Sequence, residues 1–342
     1  MVSPRTLVLS AGLTALLASP ANSQSVAPGL QTDVVFSEYS ELASTQELVR
    51  RMASPLSALR ATQEAAHAGK TLRGQPVDLA GERFSIYVPP DSRRRRYSLL
   101  VFVPPWPRAE VPAQWIPALD RHDMILVSAA RSGNDASAVE RREPLALLAA
   151  RNVMAQYAVD PQRVYIGGFS GGSRVALRLA LGYPELFHGV LLNAGSDPIG
   201  NADVPLPPAD LFQQFQDSMR LVYVTGERDE AHLVDDAHSR QSLEKWCVFD
   251  VDTQSEPRVG HEPADASAFA RALDALLRHA ATSPARLADC RARIAAQLSR
   301  DLQQVEAAFT RGDTAAAKRL LGGLDTRYGG LAAPRSVELA SQ

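Results

Sequence analysis

From Arg83 to Ala280, short runs rich in Val, Ile, Leu and Tyr alternate with longer segments of helical period. Strands that are apolar along their whole length and separated by helices can be buried only as a mostly parallel sheet with both faces covered, so few architectures remain. The expected strands are Arg83 to Val88, Tyr97 to Val103, Met124 to Ala129, Arg163 to Gly167, Gly189 to Asn193, Leu221 to Thr225 and Cys247 to Asp252. Helices are expected over Glu143 to Ala158, Gly172 to Gly182, Glu230 to Trp246 and Ala264 to His279. No internal repeat of solenoid length is visible.

Both flanks depart from this pattern. Arg5, the apolar run Thr6 to Ala18 and Ala21-Asn22-Ser23 before Gln24 have the layout of a cleaved secretory signal over residues 1–23. The apolar run is too short for a hydrocarbon core that needs about 20 residues, and no Cys lies near it to be acylated. Export to a periplasmic or extracellular compartment is the expectation. Residues 24–74 form an N-terminal leader, strand-poor and without clear period over 24–50, with room for a helix over Leu42 to His67. The β-α body occupies residues 75–282. From Ser283-Pro284 onward, Ala, Arg and Leu recur at helical spacing to Gly312, and a second helix follows from Thr314 to Tyr328. Residues 283–342 therefore read as a helical hairpin, with Gly312-Asp313-Thr314 as turn and cap.

Lys and Arg number 36 against 38 Asp and Glu, a formal charge of −2 that gives no attraction for nucleic acid. Cys247 and Cys290 are the only cysteines. In an exported chain they are either one disulfide or two buried thiols, and without suitably spaced His they do not form a zinc site. No metal or cofactor motif is present.

Chemistry is concentrated at Arg163-Val164-Tyr165-Ile166-Gly167-Gly168-Phe169-Ser170-Gly171-Gly172, a G-x-S-x-G pattern between a strand and a helix. Small residues at Gly168 and Gly172 permit a sharp turn that lifts Ser170 clear of the sheet, and the following helix aims its positive end at a forming oxyanion. A serine hydroxyl needs a base and an orienting acid, which in this kind of sheet follow in the order Ser, acid, His. Among the seven His, His261 follows Gly260 in the loop after the last strand, where functional groups gather. His232 and His238 fall on an expected helix and His279 ends one. Asp229, in the loop after Leu221 to Thr225, is the preferred acid, with Asp197 as the alternative and a helix cap as its plain structural role.

These residues resemble the α/β-hydrolase superfamily, and within it secreted esterases related to polyhydroxybutyrate depolymerases and feruloyl esterases. The resemblance spans roughly residues 75–280. It rests on Asp160-Pro161-Gln162-Arg163-Val164-Tyr165 leading to Gly168-Phe169-Ser170-Gly171-Gly172, then Gly226 to Asp229, then Gly260-His261. It implies an α/β-hydrolase fold with Ser170 as nucleophile, His261 as base and Asp229 as its orienter. The C-terminal helices lie outside the shared pattern.

One departure stands out. After Leu99-Leu100-Val101-Phe102-Val103, where the family usually has His-Gly, this chain has Pro104-Pro105-Trp106. Proline has no N–H to donate to an oxyanion, which leaves the N–H groups of Gly171 and Trp106 as the expected pair. Arg131-Ser132-Gly133-Asn134, with Arg141-Arg142 beyond it, either lines a substrate cleft through Arg131 and Asn134 or forms a turn and a helix start. Arg93 to Arg96 reads as a solvated loop. The expected activity is hydrolysis of a small or polymeric ester through an acyl-enzyme. A serine peptidase and a catalytically weak binding protein are the alternatives.

Overall fold

The computed structural model describes residues 28–90, 96–278 and 283–342. The secretory signal expected over residues 1–23, Arg93 to Arg95 of the arginine loop, and His279 lie outside them. The strands are β1 (Gly29–Val34), β2 (Phe84–Val88), β3 (Tyr97–Val103), β4 (Met124–Ala129), β5 (Val159–Phe169), β6 (Gly189–Asn193), β7 (Arg220–Gly226) and β8 (Val251–Glu256). They form one eight-stranded sheet in the order β1-β2-β4-β3-β5-β6-β7-β8. β2 is antiparallel to both β1 and β4, and every other neighbouring pair is parallel. The order reverses around β3, so the C-terminal ends of β3 and β5 lie side by side at a switch point, where open α/β sheets place their sites.

The helices are α1 (Thr45–Met52), α2 (Pro55–His67), α3 (Ile116–Arg121), α4 (Glu143–Gln156), α5 (Gly171–Gly182), α6 (Ala209–Ser218), α7 (Glu230–Lys245), α8 (Ala266–Leu276), α9 (Pro284–Thr310), α10 (Thr314–Tyr328) and α11 (Arg335–Ala340). Alternate strand residues feed two cores. Leu99, Val101 and Val103 pack with α4, α5 and α6 on one face, whereas Leu100 and Phe102 pack with Trp115 and the α8 residues Phe269 and Leu273 on the other. The result is a three-layer arrangement with the sheet in the middle.

Several boundaries differ from the sequence reading, each for a physical reason. The leader contributes one strand that was not anticipated: β1 pairs with β2 along the sheet edge, but its half-exposed residues Gly-Leu-Gln-Thr-Asp-Val carry no apolar alternation to betray it. The single helix expected over Leu42 to His67 is broken, because Ala53 and Ser54 are extended and Pro55 begins a new helix. The last strand is Val251–Glu256 rather than Cys247 to Asp252. Trp246, Cys247 and Val248 are buried at the end of α7, Cys247 in the left-handed region, so their apolarity reflects helix docking. The polar strand itself sits at the other sheet edge. The short helices α3, α6 and α11 were not anticipated.

The C-terminal hairpin forms as expected, with Asp313 accepting from the Ala316 N–H to cap α10. Val305, Leu321, Leu324 and Tyr328 belong to the same buried cluster as Phe212 and Trp246 of the body. Asp325 of α10 accepts hydrogen bonds from Ser54 Oγ and from the Leu56 N–H at the start of α2. A disulfide joins Cys247 to Cys290 on α9, which decides between the two readings of the cysteines. Among the described residues no helix is long and apolar enough to cross a membrane.

Closing a loop of this length contributes about 4 kcal/mol on the chain-entropy account. The paired Cys247→Ser, Cys290→Ser variant should therefore melt well below the wild type under non-reducing conditions. Equal melting temperatures would show that the bond adds nothing to stability.

Candidate active site

β5 ends at Phe169, α5 begins at Gly171, and Ser170 between them has φ 55° and ψ −125°, a conformation that L residues seldom adopt. Close packing enforces this turn. A Cβ on Gly172 would lie 1.9 Å from the Val103 carbonyl oxygen at the end of β3, and one on Gly168 would lie 2.3 Å from the Gly172 backbone. The Ser170 N–H donates to the Asn193 carbonyl at 2.8 Å, anchoring the turn to the end of β6. The buried Asn193 side chain donates to the Val224 carbonyl at 2.9 Å and accepts from the Ala264 N–H at 2.8 Å. Asn193, through its backbone carbonyl and its side-chain amide, thus ties the serine turn, β7 and the segment after His261 into a single frame.

Within that frame the three residues chosen from the sequence meet. The Ser170 hydroxyl donates to His261 Nε2 at 2.9 Å, and His261 Nδ1 donates to Asp229 Oδ2 at 2.7 Å. Asp229 is 7% exposed, follows β7 and stands at the N-terminus of α7 without capping it through its side chain. Burial raises its proton affinity, but hydrogen bonds from His232 and His261 outweigh burial and hold the carboxyl below its ordinary range. Its ionised form can only accept, which assigns the Nδ1–H tautomer to each imidazole bonded to it. The alternative acid, Asp197, is instead ion-paired to Arg174.

Sequence reasoning missed His232. Its Nδ1 donates to Asp229 Oδ1 at 2.7 Å, and its ring stacks on that of His261 with centroids 4.1 Å apart. The only available signal was its place three residues beyond Asp229, on one face of a helix. Asp229, His232 and His261 present potential ligand atoms within 4.8 Å of one another, but the hydrogen bonds among them account for the grouping without an ion.

The loop after β3 approaches this group through Trp106, whose ring packs near Phe169. The Pro105 carbonyl accepts from the Asn134 N–H at 2.9 Å, so the trans peptide that follows turns the Trp106 N–H to the opposite side. Buried Arg142 donates to the carbonyls of Pro104 at 3.0 Å and Ser132 at 2.9 Å, joining the loops after β3 and β4. Of the two residues expected in a cleft, Asn134 is exposed and abuts Gly171, where a Cβ would lie 2.2 Å from its Oδ1. Arg131 turns elsewhere: its guanidinium donates to the Gly81 carbonyl at 2.6 Å and pairs with Glu82 at 3.1 Å. The Trp106 ring packs near Phe102 and Phe169, and Phe169 stacks on His261. Beside Trp106 and Pro263 opens a hollow of about 530 Å³, bounded also by Leu30, Ser85 and Val111.

The model of the family described as esterase PHB depolymerase matches residues 124–228. Among solved structures, a poly(3-hydroxybutyrate) depolymerase from Bordetella parapertussis is similar at 19% identity and TM-score 0.42, over 61% of this chain and 88% of that one. An S-formylglutathione hydrolase from Staphylococcus aureus is similar at 13% identity and TM-score 0.45, over 58% of this chain and 90% of that one. A puromycin-hydrolysing peptidase from Mycobacterium tuberculosis is similar at 13% identity and TM-score 0.41, over 56% of this chain and only 36% of that one. Comparison with curated proteins gives no match.

The tight contact at Gly172 predicts that Gly172→Ala will cost about 1–3 kcal/mol or more through overpacking. Gly322→Ala on α10, where nothing lies within 4 Å, should instead stabilise by a few tenths to about 1 kcal/mol. Melting curves that moved in parallel for the two variants would contradict the packing argument. By its sheet order and its strand-turn-helix at Ser170 the chain has the α/β-hydrolase fold, and its residues 124–228 match the family model described as esterase PHB depolymerase.

Proposed function

We propose that the chain is an exported serine hydrolase of carboxylic esters that works through an acyl-enzyme. The observation that carries this reading is the unbroken hydrogen-bonded line from Ser170 through His261 to Asp229. As Ser170 Oγ attacks the ester carbonyl carbon, its proton passes to His261 Nε2, and the resulting imidazolium is stabilised by Asp229. The tetrahedral intermediate collapses by breaking the bond to the alcohol oxygen, which leaves with the proton held on His261. Water, deprotonated by His261, then attacks the acyl carbon, and the second tetrahedral intermediate collapses by breaking the bond to Ser170 Oγ, which takes the proton back from His261 as the acid is released.

The oxyanion in both steps is assigned to two backbone donors. Gly171 N–H belongs to the first turn of α5, where amides have no helical partner, and the helix dipole adds to its effect. Trp106 N–H, on the opposite side of its peptide from the Pro105 carbonyl, is the second. Asn134 would meet the substrate at the rim beside Gly171, and the hollow next to Trp106 and Pro263 is offered to one arm of the ester. The family match over residues 124–228 supports ester hydrolysis, and a small or polymeric ester fits the open hollow. Export is supported by the signal-like layout of residues 1–23 and by the disulfide, a bond typical of oxidising compartments.

The purified protein should hydrolyse a short activated ester, and Ser170→Ala should abolish turnover. Retained turnover in that variant would remove the serine from the mechanism. The oxyanion assignment is tested by a pair: Trp106→Ala keeps the backbone N–H, whereas Trp106→Pro deletes it. With matched melting curves, the Pro variant should fall about 100- to 1000-fold in kcat below the Ala variant. Equal kcat values would place the second donor elsewhere.

A further inference from the structure

An imidazole base needs one carboxylate oxygen to fix its tautomer. Here both oxygens of Asp229 are taken by imidazoles, His261 on Oδ2 and His232 on Oδ1, each at 2.7 Å. The two rings lie parallel within 11°, with centroids 4.1 Å apart. Two positive charges at that distance repel by about 0.7 of a pH unit in proton affinity with water-like screening, and by more where water is partly excluded. One carboxylate facing two stacked imidazoles therefore favours one added proton and resists the second.

We propose that His232 is a positioning residue that holds the second oxygen of Asp229 and shares with His261 the single proton this group takes up as pH falls. This deepens the serine-hydrolase reading and rests on it. Where the first proton sits on His232, His261 stays neutral and remains able to accept the Ser170 proton. Activity then falls in two steps, the second displaced to lower pH by the charge already on His232. An isolated imidazole on the same carboxylate would lose its base in one step.

The surroundings of His232 are compatible with this role. Asp229 and His261 face it from the loops after β7 and β8. From α7 come Asp236, whose oxygens accept from Ser196 Oγ and Thr225 Oγ1, and Asp235, which is paired with Arg174. Glu230 lies with His232 in the first turn of α7. The ring edge is held against Gly195, where a Cβ would lie 2.9 Å from His232 Cδ2. The positive end of α7 opposes full protonation of His232, while Asp229 and Asp236 favour it.

Two substitutions separate titration from orientation. His232→Asn places an amide N–H where Nδ1 stood and cannot titrate, whereas His232→Leu removes the donor as well. In full-length protein with matched melting curves, the wild-type acid limb of kcat/KM should extend over two protonations. The Asn variant should keep kcat within about threefold, lose activity in a single step, and do so about one pH unit higher than the wild-type second step. The Leu variant should lose at least about tenfold in kcat with little change in KM, because Asp229 is left with a buried, unfilled oxygen. Superimposed acid limbs for wild type and the Asn variant would overturn the proposal, even if the Leu variant fails to fold. Histidine 15N titration gives a readout free of turnover: coupled double titration in wild type and a single one at His261 in the Asn variant support it, and independent single titrations overturn it. An absence of Ser170-dependent ester turnover would count against the serine-hydrolase reading instead, while the 15N titration still decides the coupling.

Discussion

The carboxylate of Asp229 organises everything around it. It is nearly buried, it is ionised, and each of its oxygens receives an imidazole N–H. A buried charge is tolerable only when its hydrogen-bonding capacity is filled, so the positions of His261 and His232 follow from the need to satisfy it. Once His261 is fixed at Nδ1, its Nε2 has one direction left, and that direction ends on Ser170 Oγ. The serine–imidazole geometry on which the proposed nucleophilic attack relies is therefore a by-product of solvating one carboxylate with protein groups.

Backbone packing supplies the precision that side chains alone would not. The Val103 carbonyl against Gly172 brings the end of β3 so close to the start of α5 that the serine turn has no freedom to relax. Asn193 joins that turn to β7 and to the segment after His261, and Arg142 joins the loops after β3 and β4. Burial makes the Arg142 guanidinium a weaker base than usual, as expected for a cation whose partners on these loops are carbonyl groups. Preorganised donors of this kind do not have to reorient as charge develops, which is where electrostatic catalysis draws its strength.

The parts of this arrangement that depend on local chemistry were legible in the sequence. Gly168, Ser170 and Gly172 announce a strand-turn-helix because a side chain at 168 or 172 would meet backbone in such a turn, and the strand before Asp229 and the loop around His261 place both at the same sheet rim. What escaped notice depends on contacts between distant segments. His232 reads as an ordinary helix residue until the second oxygen of Asp229 is seen to need a donor. Asn193 ends a plain apolar strand, and its bonds to Val224 and Ala264 exist only after folding. β1 and β8, at the two sheet edges, are held by backbone pairing with little apolar burial, so the hydrophobic period that reveals the inner strands is missing from them. Arg131 matched the chemistry of a cleft residue, but Glu82 and the Gly81 carbonyl claim it first.

The central claim is that Ser170 carries the acyl group. Acid quenching of the full-length protein during turnover of an activated ester, followed by peptide mass analysis, tests this directly. The account predicts an added acyl mass on the peptide that contains Ser170, appearing within one turnover and lost on the timescale of steady-state hydrolysis. Turnover with no acylated peptide, or with the acyl group on another residue, would contradict it.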